Sequence, residues 1–293
     1  MLAAMLLALL AGCGGRGDEA AIAVPFNPSL GRPIYYRYDV VQQGATGTRR
    51  RASAFRIQFE RDAHGTAMVL TSVRRDLSPW PADRHPAPLV ERRFLLGASG
   101  QLRALANEPA YWSALEQAMS RDGGAEARTA IQAERESRRL PDRERMLHVA
   151  GDASEVTFFA GTSYSRQPTE RPAGKASIHG PIEFMRQTSV ARLSEDRVTL
   201  LQTLEMPRER LQAMADTLRG RYGGSPDIGS RLVSMSWRVT VELDRHTGLL
   251  VSRRTIQDIA SVEGGRTLRF VTTTRLQRVP APSRDRRTPP RPQ

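Results

Sequence analysis

Few side chains in this chain stand at the spacings that catalysis or metal binding requires. The sequence holds one cysteine and five histidines among 293 residues. The histidines are His64, His85, His148, His179 and His246. A zinc site carried by one element needs two ligands a few residues apart, as in H-E-x-x-H, and no pair of these histidines has that spacing. We therefore predict no metal site and no cofactor.

Patterns typical of nucleophilic catalysis are not found in the sequence either. The stretch 161–165 (GTSYS) is not a G-x-S-x-G elbow, and no Gly-rich phosphate-binding loop occurs. Carboxylate pairs such as Glu134 and Glu136 lie on a charged predicted helix, where a solvated face is the ordinary interpretation. We assign no catalytic residue and predict that the chain is not an enzyme.

The chain is strongly basic, and this charge limits the classes of partner. Its formal net charge is +13, from 44 Lys and Arg against 31 Asp and Glu, and Lys175 is the only lysine. The arginines are spread along predicted strands and helices instead of forming one stripe, which argues against nucleic acid as the partner. Anionic lipid or an anionic envelope polymer remains as the kind of surface that such a charge attracts.

The N-terminus carries the most specific motif of the chain. An apolar run, Met1–Ala11, ends in the tetrapeptide Leu10-Ala11-Gly12-Cys13. The run is too short to span a bilayer as a helix, which takes about 20 residues. The tetrapeptide resembles the lipobox of bacterial lipoproteins, which implies that residues 1–12 are a signal peptide and that Cys13 is acylated after cleavage. A lone cysteine fits this, because it has no disulfide partner within the chain.

The residue after Cys13 bears on the location that this resemblance implies. In lipoproteins of Gram-negative bacteria, an aspartate at that position tends to retain the protein in the inner membrane. Gly14 stands there instead. The resemblance therefore implies a protein of the outer membrane that faces the periplasm. Its partner is the membrane, which it contacts through the N-terminal lipid anchor.

Composition divides the remaining chain into a tether, a body and a tail. Residues 13–33 carry Gly, Pro, Asn and Asp without periodicity and predict a tether. Residues 279–293 are rich in Pro and Arg and predict a disordered tail. The body, residues 34–278, alternates apolar and polar residues in many segments, which predicts about seven to ten strands. The clearest segments are 34–40, 55–60, 66–73, 94–96, 182–193, 197–204, 235–243, 249–260 and 267–276.

Helical patterns occupy the middle of the body. Apolar stripes predict helices from Pro109 to Gly123 and from Pro207 to Tyr222, and a charged helix is predicted over 125–139 with Ile131 as its main anchor. We therefore predict a β-rich α+β fold, in which a curved antiparallel sheet like a half-barrel packs against two to four helices. This arrangement is weakly similar to periplasmic lipid carriers and to uncharacterised envelope lipoproteins.

Two segments of the body are similar to each other. Residues 55–64 (FRIQFERDAH) align without gaps on residues 237–246 (WRVTVELDRH), and both lead from a strand into a turn. One interpretation is a duplicated hairpin unit that makes the body of two similar halves. The other is chance, because any amphipathic strand that ends in a polar turn looks like this over ten residues.

Aromatic residues on predicted strands are the best candidates for a binding site. They are Tyr36, Tyr38, Phe55, Phe59, Trp237 and Phe270. They either form the core of the sheet or line a cavity for an apolar or amphiphilic ligand. We predict a non-enzymatic binding module for such a ligand; the alternative is an envelope scaffold with a closed core that contacts an anionic partner. We expect Trp237 to be well buried, because its strand alternates without error from Met235 to Leu243.

Overall fold

The computed structural model describes the body of the protein and parts of its flanks. The described residues are 21–44, 47–74, 91–122, 132, 135–177, 180–206, 209–211, 231–263 and 265–281. The predicted signal peptide, Cys13, Ile131 and nearly all of the predicted tail lie outside them, as does the predicted helix after Leu211.

Alternating apolar residues fold into long strands. The first six strands are β1 (Ile22–Val24), β2 (Pro33–Gly44), β3 (Gly47–Asp62), β4 (Gly65–Arg74), β5 (Arg92–Leu96) and β6 (Leu102–Leu105). The other seven are β7 (Thr162–Tyr164), β8 (Thr169–Ser177), β9 (Gly180–Leu193), β10 (Arg197–Glu205), β11 (Arg231–Asp244), β12 (Leu250–Glu263) and β13 (Arg266–Val279).

Eleven of these strands form one antiparallel sheet in the order β6-β5-β4-β3-β2-β13-β12-β11-β10-β9-β8. The sheet consists of two meanders that meet where β2 pairs with β13. Its edges, β6 and β8, do not pair with each other, so the sheet is open. The predicted fold class is confirmed, although the sheet has more strands than expected. The sequence of β8 (TERPAGKAS) has no apolar alternation that would have revealed it.

Helices pack on one face of the sheet, which we call the concave face. They are α1 (Glu108–Asp122), α2 (Asp142–Ala150) and α3 (Glu155–Phe158), with a 3₁₀ turn at Gly151–Ser154. Trp112, Leu115 and Val156 from this layer share one core with Ile57 and Leu200 of the sheet. At roughly 25 cal/mol per Å² of buried apolar area, this shared core is the main source of stability.

The sequence predicted α1 but not α2 and α3. Both missed helices are short, and the first turn of α2 carries the charged residues Asp142 and Glu144. Only a narrow stripe of α2, including Met146 and Val149, is buried. So short a stripe among charges gives little periodicity to detect.

We name the two ends of the sheet by what they carry. The near end carries the turns at 62–65, 97–101, 194–197 and 244–248. The far end carries the hairpins at 44–47 and 263–266. Each long strand therefore has a near half, which packs on the helices, and a far half.

The N-terminal segment crosses the near end. Val24 is buried in the core, and its strand β1 pairs with β7. Asn27 donates its backbone N–H to the carbonyl of Thr247 at 3.0 Å. The predicted tether of residues 13–33 is therefore too long: from Ile22 onward it belongs to the body, because its few apolar side chains have a strand partner and a core to enter.

Candidate functional site

Three of the six candidate lining residues belong to the near-half core. The relative exposure of Tyr36 and of Phe59 is 0%. Tyr36 stacks on Phe55 with ring centroids 5.5 Å apart, and its hydroxyl donates to the carbonyl of Leu250 at 2.6 Å. Burial raises the pKa of Tyr36. These three aromatic side chains pack against other side chains of the protein. They therefore belong to the core of the sheet and do not line a cavity.

Trp237 packs against a second apolar cluster as well as against the main core. Its ring meets that of Phe184 edge to face at 4.7 Å, and Met206 and Leu211 are buried beside them. Trp237 is half-buried, so the expectation that it is well buried is wrong. Its neighbours on the same face toward the near end, from Val239 to Leu243, are buried in the main core. Trp237 lies one step further toward the far end, at the margin of the main core.

Phe270 is the most exposed of the six, at 40%. It lies near the far end of β13, and β13 pairs with β2 so that Thr272 faces Gln42. A Cβ added to Gly44 would come within 2.9 Å of the Phe270 ring, so the ring lies over the backbone of this glycine. The far end of the concave face thus presents an aromatic ring to solvent.

Polar side chains lie on the same face between this ring and the core. We use the name far concave face for Gln42 on β2, Arg51 and Ser53 on β3, and Phe270 and Thr272 on β13. The cross-strand register places them on one face: Thr272 is paired with Gln42, and Arg51 and Ser53, which are paired with Val40 and Tyr38, lie nearer the core. Gln42, Arg51 and Ser53 are exposed. A surface with an exposed aromatic ring beside exposed polar groups suits a ligand that is itself amphiphilic.

Tyr38 marks the boundary between the core and the far concave face. Burial raises the pKa of this half-buried tyrosine to about 12, and the nearby carboxylate of Asp152 adds to the effect. Arg51 and Arg253 act in the opposite direction. Arg253 is held by Glu155 at 2.9 Å. Two acidic and two basic groups around one phenol make this boundary polar but nearly neutral.

Thr255 is the second polar feature of this boundary. Its relative exposure is 7%, and its Oγ1 is buried without a hydrogen bond. It lies on the concave face of β12, paired with Val239 on one side and Thr274 on the other. A buried hydroxyl left unsatisfied costs about 1–3 kcal/mol. By contrast, buried Gln202 on the same face donates to another threonine hydroxyl at 3.1 Å.

A cleft of about 130 Å³ lies elsewhere, between β6, α1 and α2. It is lined by Arg103, Ala104, Leu105, Glu108, Asp142, Arg145, Met146 and Val149. None of the six aromatic candidates is among them, and ligand pockets usually measure about 300–1,000 Å³. Arg145 binds both Glu108 at 2.6 Å and Asp142 at 2.8 Å, so ion pairs occupy this cleft.

The histidines that the structure describes in turns have structural roles. Oδ1 of Asp62 accepts the backbone N–H of His64 at 3.1 Å, and Oδ1 of Asp244 accepts that of His246 at 3.1 Å. The His64 N–H, followed by the Arg93 guanidinium, holds the pKa of Asp62 below its usual value. Within the described ranges, no three His, Cys, Asp or Glu side chains converge as metal ligands would.

Arg51 and Thr255 were not predicted as site residues from the sequence. The far part of β3 (GTRRR) has no apolar alternation, so the predicted strand began only at Phe55. Thr255 stands in an ordinary alternating strand, and its lack of a hydrogen bond is visible only in three dimensions. The signal that was available in sequence was Phe270, an aromatic residue close to the end of its strand.

Comparison with known proteins yields no family for this chain. No protein-family model matches it, and no curated protein is significantly similar to it. Among the helices that the structure describes, none is both long enough and apolar enough to cross a membrane.

Proposed function

We propose that this protein is an outer-membrane lipoprotein, anchored by lipid at Cys13, whose body binds an amphiphilic ligand on the far concave face and catalyses no reaction. The anchor rests on the lipobox resemblance of residues 10–13. The binding site rests on the geometry of the described residues.

One observation carries the binding proposal: beyond the core, the same concave face carries both exposed aromatic and exposed polar side chains. Phe270 is 40% exposed there, and the nearby Trp237 is half-buried. The unpartnered hydroxyl of Thr255 lies on the same face. An amphiphile supplies an apolar surface for the rings and, once it displaces the side chains that bury Thr255, a hydrogen-bond partner for its hydroxyl.

The ligand is oriented by this arrangement. Its apolar part lies along Phe270 and the cluster of Trp237 and Phe184. Its polar part lies toward Arg51 and Thr255, where arginine and hydroxyl donors favour a phosphate or carboxylate headgroup. Because the surroundings of Tyr38 are nearly neutral, the site favours a headgroup of low net charge.

A second function is favoured by one feature of the convex face, which is the face of the sheet opposite the helices. Arg254 on β12 is directly opposite Arg275 on β13, and both are exposed. Like charges at directly opposed positions destabilise a sheet. Asp39 is paired with Arg275 across the strands but forms its ion pair with Arg37, at 2.7 Å. An anionic envelope polymer bound here would offset the repulsion, as the scaffold alternative requires.

The binding proposal is tested by titrating the protein with a fluorescent lysophosphatidylglycerol. Phe270→Ser should raise Kd roughly five- to tenfold, equivalent to about 1–1.4 kcal/mol. Thr255→Val should weaken binding while leaving the free energy of unfolding unchanged or higher, because it removes a buried unsatisfied group without changing shape. A destabilised but normally binding Thr255→Val protein would contradict the role given to this hydroxyl.

The matched control is Leu201→Ser, which removes an exposed apolar side chain from the convex face. It should bind the probe like the wild type. If the wild type does not bind the probe, but binds lipopolysaccharide in a way that Arg254→Gln abolishes, the scaffold function replaces the one proposed.

A further inference from the structure

We infer that the near end of the body is a membrane-docking surface, so that the protein stands on its anchoring bilayer and directs the far concave face away from it. The occupant of this surface is a lipid bilayer. The inference rests on the lipid anchor proposed above, and it adds the orientation in which the anchored protein works.

The position of the N-terminal segment places the anchor close to the near end. Pro25 lies against Gly248, where an added Cβ would overlap the Pro25 carbonyl oxygen, and Phe26 lies against Gly100. Both glycines belong to near-end turns. Eight residue steps separate Ala21 from Cys13, and a fully extended chain spans at most about 3.6 Å per step, so the anchor is within roughly 29 Å of the near half.

The far end is out of reach of a tether of this length. Strand β3 has 16 residues and runs the whole way from the far end to the near end. At about 3.3 Å per residue its length is on the order of 50 Å. A bilayer that holds Cys13 therefore meets the near end first.

The near end exposes large apolar side chains where the bilayer would lie. Phe158 is 55% exposed and Leu30 is 44% exposed. Phe158 precedes Ala160 and Gly161, which lie against the turns at Gly248 and Ser99. Leu30 bridges to Phe59, three residues before a near-end turn. Exposed Phe and Leu side chains at one end, beside the point where a lipid-linked segment leaves, suit insertion into a membrane interface.

The orientation gives the proposed binding site its working direction. With the near end on the bilayer, the far concave face opens toward the compartment and not toward the membrane that holds the protein. The amphiphile is then exchanged with a carrier or with an opposing surface, and not taken directly from the anchoring leaflet.

Site-directed fluorescence quenching tests the orientation in the full chain. Cysteines are introduced singly as Phe158→Cys at the near end, Thr267→Cys at the far end and Leu201→Cys on the convex face, and each is labelled with an environment-sensitive dye. The protein is reconstituted in phosphatidylethanolamine–phosphatidylglycerol vesicles that carry a quencher on the lipid. We expect a blue shift and strong quenching at Phe158→Cys, and neither at the other two positions. Equal quenching at all three positions, or stronger quenching at Thr267→Cys, overturns the inference.

The unsubstituted chain separates this inference from the anchor proposal. If Cys13 carries lipid, the unsubstituted chain takes up no dye. If it does take up dye, the anchor proposal has failed, and the three positions are then compared in a Cys13→Ser background added to preformed vesicles. Quenching confined to Phe158→Cys there still supports a docking surface, and no quenching at that position overturns it.

Discussion

At the scale of single residues, the contact of Tyr36 with Leu250 joins two distant parts of the chain. The hydroxyl is fully buried and donates to a carbonyl 214 residues away at 2.6 Å. Tyr36→Phe should lower the free energy of unfolding by about 1–2 kcal/mol, because a buried acceptor loses its partner. Urea denaturation measures this. Tyr35→Phe, on the opposite face of the same strand, is the matched control and should change little; equal losses in the two variants would refute the role of the hydrogen bond.

The same residue makes a prediction about alkaline pH. Burial raises the pKa of Tyr36 above its ordinary value near 10, so the folded protein holds this proton where the unfolded chain has lost it. Stability from this group is complete below pH 10 and is lost as the pH rises beyond it. Wild type should therefore lose stability more steeply above pH 10 than Tyr36→Phe. Parallel slopes in thermal melts would show that Tyr36 does not titrate as a buried group.

At the scale of elements, the packing of the N-terminal segment on the near end rests on Gly248. Its φ is +73°, and a Cβ there would overlap the carbonyl oxygen of Pro25. Gly265 is the control, since its φ is +76° and nothing lies within 4 Å of an added Cβ. Both Gly→Ala variants incur the cost of a left-handed conformation, about 1–2 kcal/mol, but only Gly248→Ala must also displace the segment. Gly248→Ala should have the lower Tm and faster proteolysis near residue 25; indistinguishable variants would show that the segment is not held there.

Sequence alone predicted the elements in which apolar residues recur on one face. Strands β9 to β13 and helix α1 were predicted to within a few residues, because one face of each is apolar. Strand β8 and the far part of β3 were missed, since neither alternates apolar and polar residues. The candidate site was predicted in part for the same reason: Phe270 and Trp237 are visible as apolar positions, whereas Thr255 becomes informative only through its missing hydrogen bond.

The internal similarity of the sequence falls on two comparable elements. Residues 55–64 end β3, and residues 237–246 end β11, four places further along the sheet order. In both turns, an aspartate side-chain oxygen accepts the backbone N–H of the histidine two residues later, at 3.1 Å. The shared register and turn geometry are what a duplicated hairpin unit would have, and duplication stays a prediction.

At the scale of the whole molecule, the proposed function places a lipid at one end of the protein and a ligand at the other. Metabolic labelling with a palmitate analogue should mark the wild-type chain and leave Cys13→Ser unmarked, because Cys13 is the only cysteine. Labelling of both chains would show that the lipid is attached elsewhere. Labelling of neither would show that the protein has no lipid anchor. The expected gain from several acyl chains, at about 0.8 kcal/mol per buried CH₂, is stable membrane attachment.

The most direct test of the central claim is photo-crosslinking with an amphiphile that carries a diazirine on its acyl chain and a phosphate headgroup. The crosslinked peptides are then identified by mass spectrometry. We expect adducts on the concave positions of β13 and β11, around Phe270 and Trp237, and their loss in the presence of excess unlabelled amphiphile. Adducts confined to the convex face or to the near end, or adducts that excess ligand does not displace, would contradict binding at the far concave face.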